Sequence, residues 1–296
     1  VLPELAPETL VVVSDARDVV LNRRPAARGQ EPGAVARSIL AAFGAATRGA
    51  AEGAILAGSE WRCCIAAMTH VEPGSYFTAG GARAARSCKS GTPECPWNAH
   101  GTKPWQELMD GLAAERNASG RDRYLNAGLV AGHARDLLRV VELMDLGEEE
   151  DDQAVLSGLL HHKPGAVVLD YEQRLFGNSR IWLPAAQGGC PYRYEPTAGG
   201  LVHSDYATRP FFVHTAGAFY ECLDALSGAL KLPLARRAAA RQLLSSSGLA
   251  QPGQLGPFGQ YGQYGHYGCP SGQCGQYGHH RGPSGQCGKY GHYGCP

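Results

Sequence analysis

Two aspartates three residues apart, Asp15 and Asp18, stand directly behind a β-branched run, Thr9-Leu10-Val11-Val12-Val13. In an open α/β sheet, ligands gather at the carboxyl ends of strands. Two carboxylates placed there can hold a hard divalent cation through oxygen. Such a cation would neutralise a diphosphate leaving group. A turn acid followed by a helix cap would look the same in sequence. The placement behind Val11-Val12-Val13 favours the cation.

A second group follows Tyr124-Leu125-Asn126-Ala127-Gly128-Leu129-Val130-Ala131-Gly132, an apolar segment whose small residues let a backbone approach something closely. Asp151-Asp152-Gln153 then places paired acids at the head of a helix, where the helix dipole alone would also favour them. In a site, a carboxylate here could orient sugar hydroxyls or help deprotonate an acceptor. His214 closes Phe211-Phe212-Val213. Imidazole suits an ion already bound by carboxylates, so the meaning of His214 depends on the aspartates.

The elements that must position these groups alternate between apolar runs and helical patterns, which predicts an α/β architecture. Strands are expected at Thr9–Val13, Gly53–Ala57, Ala166–Leu169 (closed by Asp170) and Phe211–His214, the first of them in a parallel sheet and buried on both faces. Helices are expected at Ala34–Ala46, Pro104–Glu115, Arg135–Met144 and Ala154–Leu160. Trp105, Leu108, Met109 and Leu112 share one face of the second helix.

The globular part is expected over residues 1–249. From Gln251 the composition changes to Gly, Tyr, Cys and His, and residues 250–296 are expected to be a disordered low-complexity tail. Its Gly-x-x triplets slip phase at Ser271 and Arg281 and lack the Pro of a collagen helix. Metal capture through His266, His279, His280 and His292, or cross-linking, are the sharper alternatives for this tail.

The 296 residues carry 27 basic and 27 acidic side chains, so charge gives no reason to expect nucleic acid or an anionic membrane as partner. No run of 18 apolar residues predicts a transmembrane helix. The chain opens on Val1 with no signal-peptide pattern before the first strand. Ten cysteines are compatible with paired oxidation in a secretory compartment, with connectivity open. Asn117-Ala118-Ser119 is a glycosylation sequon.

Taken in order, Asp15-x-x-Asp18, Tyr124-Leu125-Asn126-x-Gly128, Asp151-Asp152-Gln153, Leu169-Asp170 and Val213-His214-x-x-Gly217 resemble the glycosyltransferase domain of the procollagen-lysine hydroxylases, which is related to the collagen galactosyltransferases. The resemblance spans about Leu10 to Phe219. It implies a GT-A fold, a Rossmann-type mixed sheet flanked by helices, with manganese as the ion and a UDP-sugar as donor. It implies metal ligation by Asp15, Asp18 and His214. It places Asn126, Gly128, Gln153, Glu60 and Trp61 on the substrate side, and Asp151 and Asp152 at the catalytic position. A hydroxyl acceptor, hydroxylysine-type or collagen-like, and the lumen of the endoplasmic reticulum or Golgi are implied in the same way.

Three features depart from the pattern. Arg17 stands where the family has an aromatic, no Lys follows His214 closely, and 14 residues precede Asp15 where a nucleotide-binding strand and helix are expected. The domain is therefore expected to lack its N-terminal nucleotide-binding portion. A catalytically silent, matrix-associated binding protein acting through its tail is the alternative. A phosphatase-like hydrolase fits less well, because its second acid follows two residues after the first rather than three.

Overall fold

The computed structural model describes residues 2–15, 18–22, 33–97, 101–181, 183, 187–197, 199–216 and 220–230. Arg17, Gly217 and the tail from 250 onward lie outside these residues.

The chain builds a mixed α/β structure. The main sheet has four strands in the order β1 (Leu10–Ser14), β4 (Tyr124–His133), β3 (Ile55–Glu60) and β5 (Val167–Leu169). β4 runs antiparallel to both β1 and β3, whereas β3 and β5 are parallel. The carboxyl ends of β1, β3 and β5 therefore share one edge of the sheet. A second sheet is ordered β2 (Val19–Leu21), β9 (Phe212–His214) and β6 (Phe176–Asn178), and β7 (Tyr192–Glu195) pairs with β8 (Gly200–His203) as a separate ribbon.

The two faces of the main sheet bury different clusters. Ile55, Ala57, Val167 and Leu169 point to one side, where Trp105 and Met109 of α2 (Lys103–Glu115), Leu137 and Val140 of α3 (Ala134–Met144), and Leu156 and Leu159 of α4 (Asp152–His162) close over them. Leu56 and Val168 point to the other side, against Phe43 of α1 (Gly33–Ala46), Phe176 and Phe211. The period of two along each strand gives this sorting. Each fully buried Leu, Met or Phe contributes about 1.5–3 kcal/mol of apolar burial. In α2, Trp105, Met109 and Ala113 are buried and Leu108 and Leu112 are partly so, as the expected apolar face requires.

The first strand is where expectation and structure part. β1 forms, but it pairs antiparallel at the sheet's edge, and Val13 is 51% exposed. A β-branched run favours extended backbone whatever its partner, so its residues reveal neither strand direction nor place in the sheet.

The pairing of β3 with β4 is irregular beside Asp15. Ala57 faces Val130 but its neighbour Gly58 faces Asn126, so β4 carries three extra residues, Ala127, Gly128 and Leu129, against none in β3. This bulge shifts the side-chain alternation of β4, and bulges re-aim side chains in this way. The Gly128 carbonyl accepts from the amide of Asp15, 2.9 Å away, just past the end of β1.

Cys88–Cys95 and Cys190–Cys222 are disulfide-bonded. Among the described residues no helix is long and apolar enough to cross a membrane.

Candidate metal centre

Three elements deliver the three expected ligands to one place. Asp15 follows β1, Asp18 precedes β2, and His214 ends β9. Short bonds fix this meeting: Thr215 donates to the Asp18 carbonyl from its amide (2.7 Å) and its hydroxyl (2.9 Å), and Val19 pairs with His214 in the β2–β9 ladder. The carboxylate oxygens and an imidazole nitrogen lie within 4.8 Å of one another. His214 Nε2 is 3.4 Å from Asp15 Oδ2 and 3.5 Å from Asp18 Oδ1. An octahedral ion with ligand distances of about 2.1–2.4 Å separates adjacent ligand atoms by about 3.0–3.4 Å, so this spacing suits one cation.

Gly128 makes the approach possible. A Cβ built on it would overlap the His214 ring and stand 2.7 Å from Asp15 Oδ2. The bulge in β4 presents backbone here without a side chain, which explains the small residues noticed in the sequence.

The tautomer of His214 follows from its neighbours. Nδ1 lies 2.9 Å from Asn126 Oδ1 and 3.0 Å from Asn178 Oδ1. Both amides are oriented independently: Asn126 Oδ1 accepts from the Gly128 amide at 3.0 Å, and Asn178 Nδ2 donates to the Ser59 carbonyl at 2.8 Å. Two oxygens therefore face Nδ1, which must carry hydrogen. In the neutral ring Nε2 then presents a lone pair towards two carboxylates. Nε2 is buried and makes no hydrogen bond. Two carboxylates and Nε2 converging on one point suit a positive charge between them, which a divalent cation would supply. The His214 side chain is 4% exposed, Asp18 13% and Asp15 60%, so the site opens on the Asp15 side.

Burial raises the Asp15 carboxyl above its ordinary range; the His214 field pulls it down, and Asp18 and Asp152 push it up. Asp152 is thus near enough for its field to reach the aspartate. Its own carboxyl is also raised, chiefly by desolvation. Asp151 does something else. It caps α4, accepting from the Gln153 amide at 3.1 Å, and burial together with Asp152 raises its carboxyl to about 6. Of the two acids, Asp151 is the N-cap of α4, and Asp152 opens the helix with an exposed side chain.

Gln153 and Glu60 form an inner layer behind the bulge. Gln153 Nε2 donates to Glu60 Oε1 at 3.1 Å, and Gln153 Oε1 accepts from the Ala127 amide at 3.2 Å. Desolvation raises the buried Glu60 carboxyl to about 8, opposed by hydrogen bonds from Gln153 and Asn126. Trp61 donates from its ring to the Ile181 carbonyl at 3.0 Å. Asp170 accepts from the amides of Arg174, Leu175 and Phe176, so its carboxylate organises a buried turn.

Asn178 was not expected from the sequence. It ends Phe176-Gly177-Asn178, a short strand with no motif, and a polar residue closing an apolar stretch was its only signal. A second cluster, His70 with Cys88 and Cys95, has metal-like spacing, but its two sulfurs are bonded to each other and cannot serve as thiolates.

No protein-family model matches the chain, and no curated protein matches it.

Proposed function

We propose that this chain is a metal-dependent glycosyltransferase of GT-A type that moves a hexose from a UDP-sugar to a hydroxyl acceptor, as its resemblance to the procollagen-lysine hydroxylase glycosyltransferase domain implies. The observation that carries the proposal is the convergence of Asp15, Asp18 and His214 Nε2, which makes no hydrogen bond, from strand ends of two sheets.

Asp15, Asp18 and His214 would hold the ion, manganese by resemblance. Bound there, the ion would supply charge neutralisation to the departing diphosphate, on the order of several kcal/mol. Three protein ligands leave coordination positions for phosphate oxygens and water, and the exposed Asp15 side is where a nucleotide would enter. Asn126 and Asn178 hold the imidazole in the tautomer that directs a lone pair at the ion. Gln153, held by Glu60, braces the bulge from behind. Asp152, exposed at the head of α4 and with its carboxyl raised by desolvation, would orient the acceptor hydroxyl or accept its proton.

Calorimetry of UDP binding tests the proposal. UDP should bind with manganese present and lose at least about tenfold in affinity without it or in Asp18→Asn. Binding indifferent to manganese would overturn it.

A further inference from the structure

The sequence contains five asparagines, and only Asn117 is followed two residues later by Ser or Thr, with Ala118 between. The structure places this triplet where it can be modified. α2 ends at Glu115, and Asn117 turns the chain away with φ of 54°. Asn117 and Ser119 are both exposed, and neither side chain hydrogen-bonds to another described residue. Asparagine tolerates left-handed backbone better than most residues, which alone would explain Asn117 but not Ser119. The disulfides Cys88–Cys95 and Cys190–Cys222 are bonds that persist in the oxidising compartments where asparagine glycosylation occurs.

Asn117 also stands on the wall of a cavity of about 670 Å³, a volume in the range of small-molecule sites. Tyr171 and Tyr206 line it together with Arg48 and Arg116, a mixture of aromatic and donor side chains suited to a sugar ring. The wall includes Val168, Leu169 and Asp170 at the end of β5. In the strand order β1-β4-β3-β5 that is the opposite lateral end of the sheet from Asp15, so a glycan here leaves the cation site open.

We propose that Asn117 is an N-glycosylation site whose first sugar residues stand in the cavity lined by Tyr171, Tyr206, Arg48 and Arg116. In the modification, the anomeric carbon of a lipid-diphosphate-linked oligosaccharide bonds to Asn117 Nδ2, the amide gives up a proton, and the lipid diphosphate leaves. The inference is independent of the glycosyltransferase proposal.

The test is intact-mass analysis of the full chain secreted from eukaryotic cells, before and after peptide N-glycosidase. The expected result is the mass of one N-glycan, removed by the enzyme and missing in both Asn117→Gln and Ser119→Ala. Ser119→Ala keeps the asparagine and its turn, so it separates loss of the sequon from loss of the fold. Secreted protein with unmodified Asn117 overturns the proposal. Removing the glycan from the folded protein should lower Tm by a few degrees, and an unchanged Tm would overturn its seating in the cavity.

Discussion

The Nδ1 of His214 lies 3.0 Å from the Oδ1 of Asn178, and the other end of that amide donates to the Ser59 carbonyl at 2.8 Å. An amide on β6 thereby carries the orientation of β3 to a ring on β9. The imidazole is fixed by two sheets at once, and its free nitrogen faces the aspartates because the bound one faces amide oxygens.

Asn178→Ala should therefore loosen the ring and permit the other tautomer. Partners of this kind typically contribute 10–100-fold to metal affinity. The expected outcome is manganese affinity about 10–100-fold lower, with far-ultraviolet circular dichroism unchanged. Manganese titration by calorimetry checks it.

Gly128→Ala forces a methyl group into the His214 ring and against Asp15 Oδ2. Overpacking of this kind costs about 1–3 kcal/mol. The variant should be less stable by that amount in urea denaturation and should bind manganese more weakly. Gly111→Ala, on α2 with open space around its Cβ, should do neither.

Much of this was legible in the sequence and some was not. Asp15, Asp18 and His214 are found together because each closes or flanks a short apolar run, and strand ends are where α/β sheets gather ligands. The small residues around Gly128 correctly signalled close backbone approach. The bulge that uses them was not legible, because it depends on how many residues β3 places opposite β4. The edge position of β1 was hidden for a similar reason: Val11-Val12-Val13 reads as a buried strand, and only the tertiary fold leaves Val13 exposed. Asn178 is reached through long-range pairing with β9, which no local pattern encodes.

Glu60 predicts a pH dependence of stability. Its carboxyl is raised to about 8 in the folded chain from an ordinary value of 4.5. Between those values the folded state holds a proton that the unfolded chain has lost, so stability falls as pH rises through this window. Below it the contribution is fully present, and above it the loss is complete. Glu60→Gln keeps the shape and an acceptor for Gln153 but removes the titration. Its Tm should fall less than that of the wild type between pH 5 and pH 8, by scanning calorimetry.

Cys190–Cys222 closes 32 residues of chain and anchors α5 (Tyr220–Ala229) against Leu201, Val213 and Tyr192. Loops of this size typically gain about 2–4 kcal/mol from their disulfide. Replacing both cysteines with alanine should lower stability by about that much in urea. Since Val213 precedes His214 and packs in the same cluster, manganese affinity should fall with it.

The central claim is that Asp15, Asp18 and His214 surround one cation. Electron paramagnetic resonance of manganese titrated into the protein tests it most directly. One bound ion per chain is predicted, lost in Asp15→Asn, in Asp18→Asn and in His214→Ala. Manganese that stays bound in all three variants, or never binds the wild type, would contradict it.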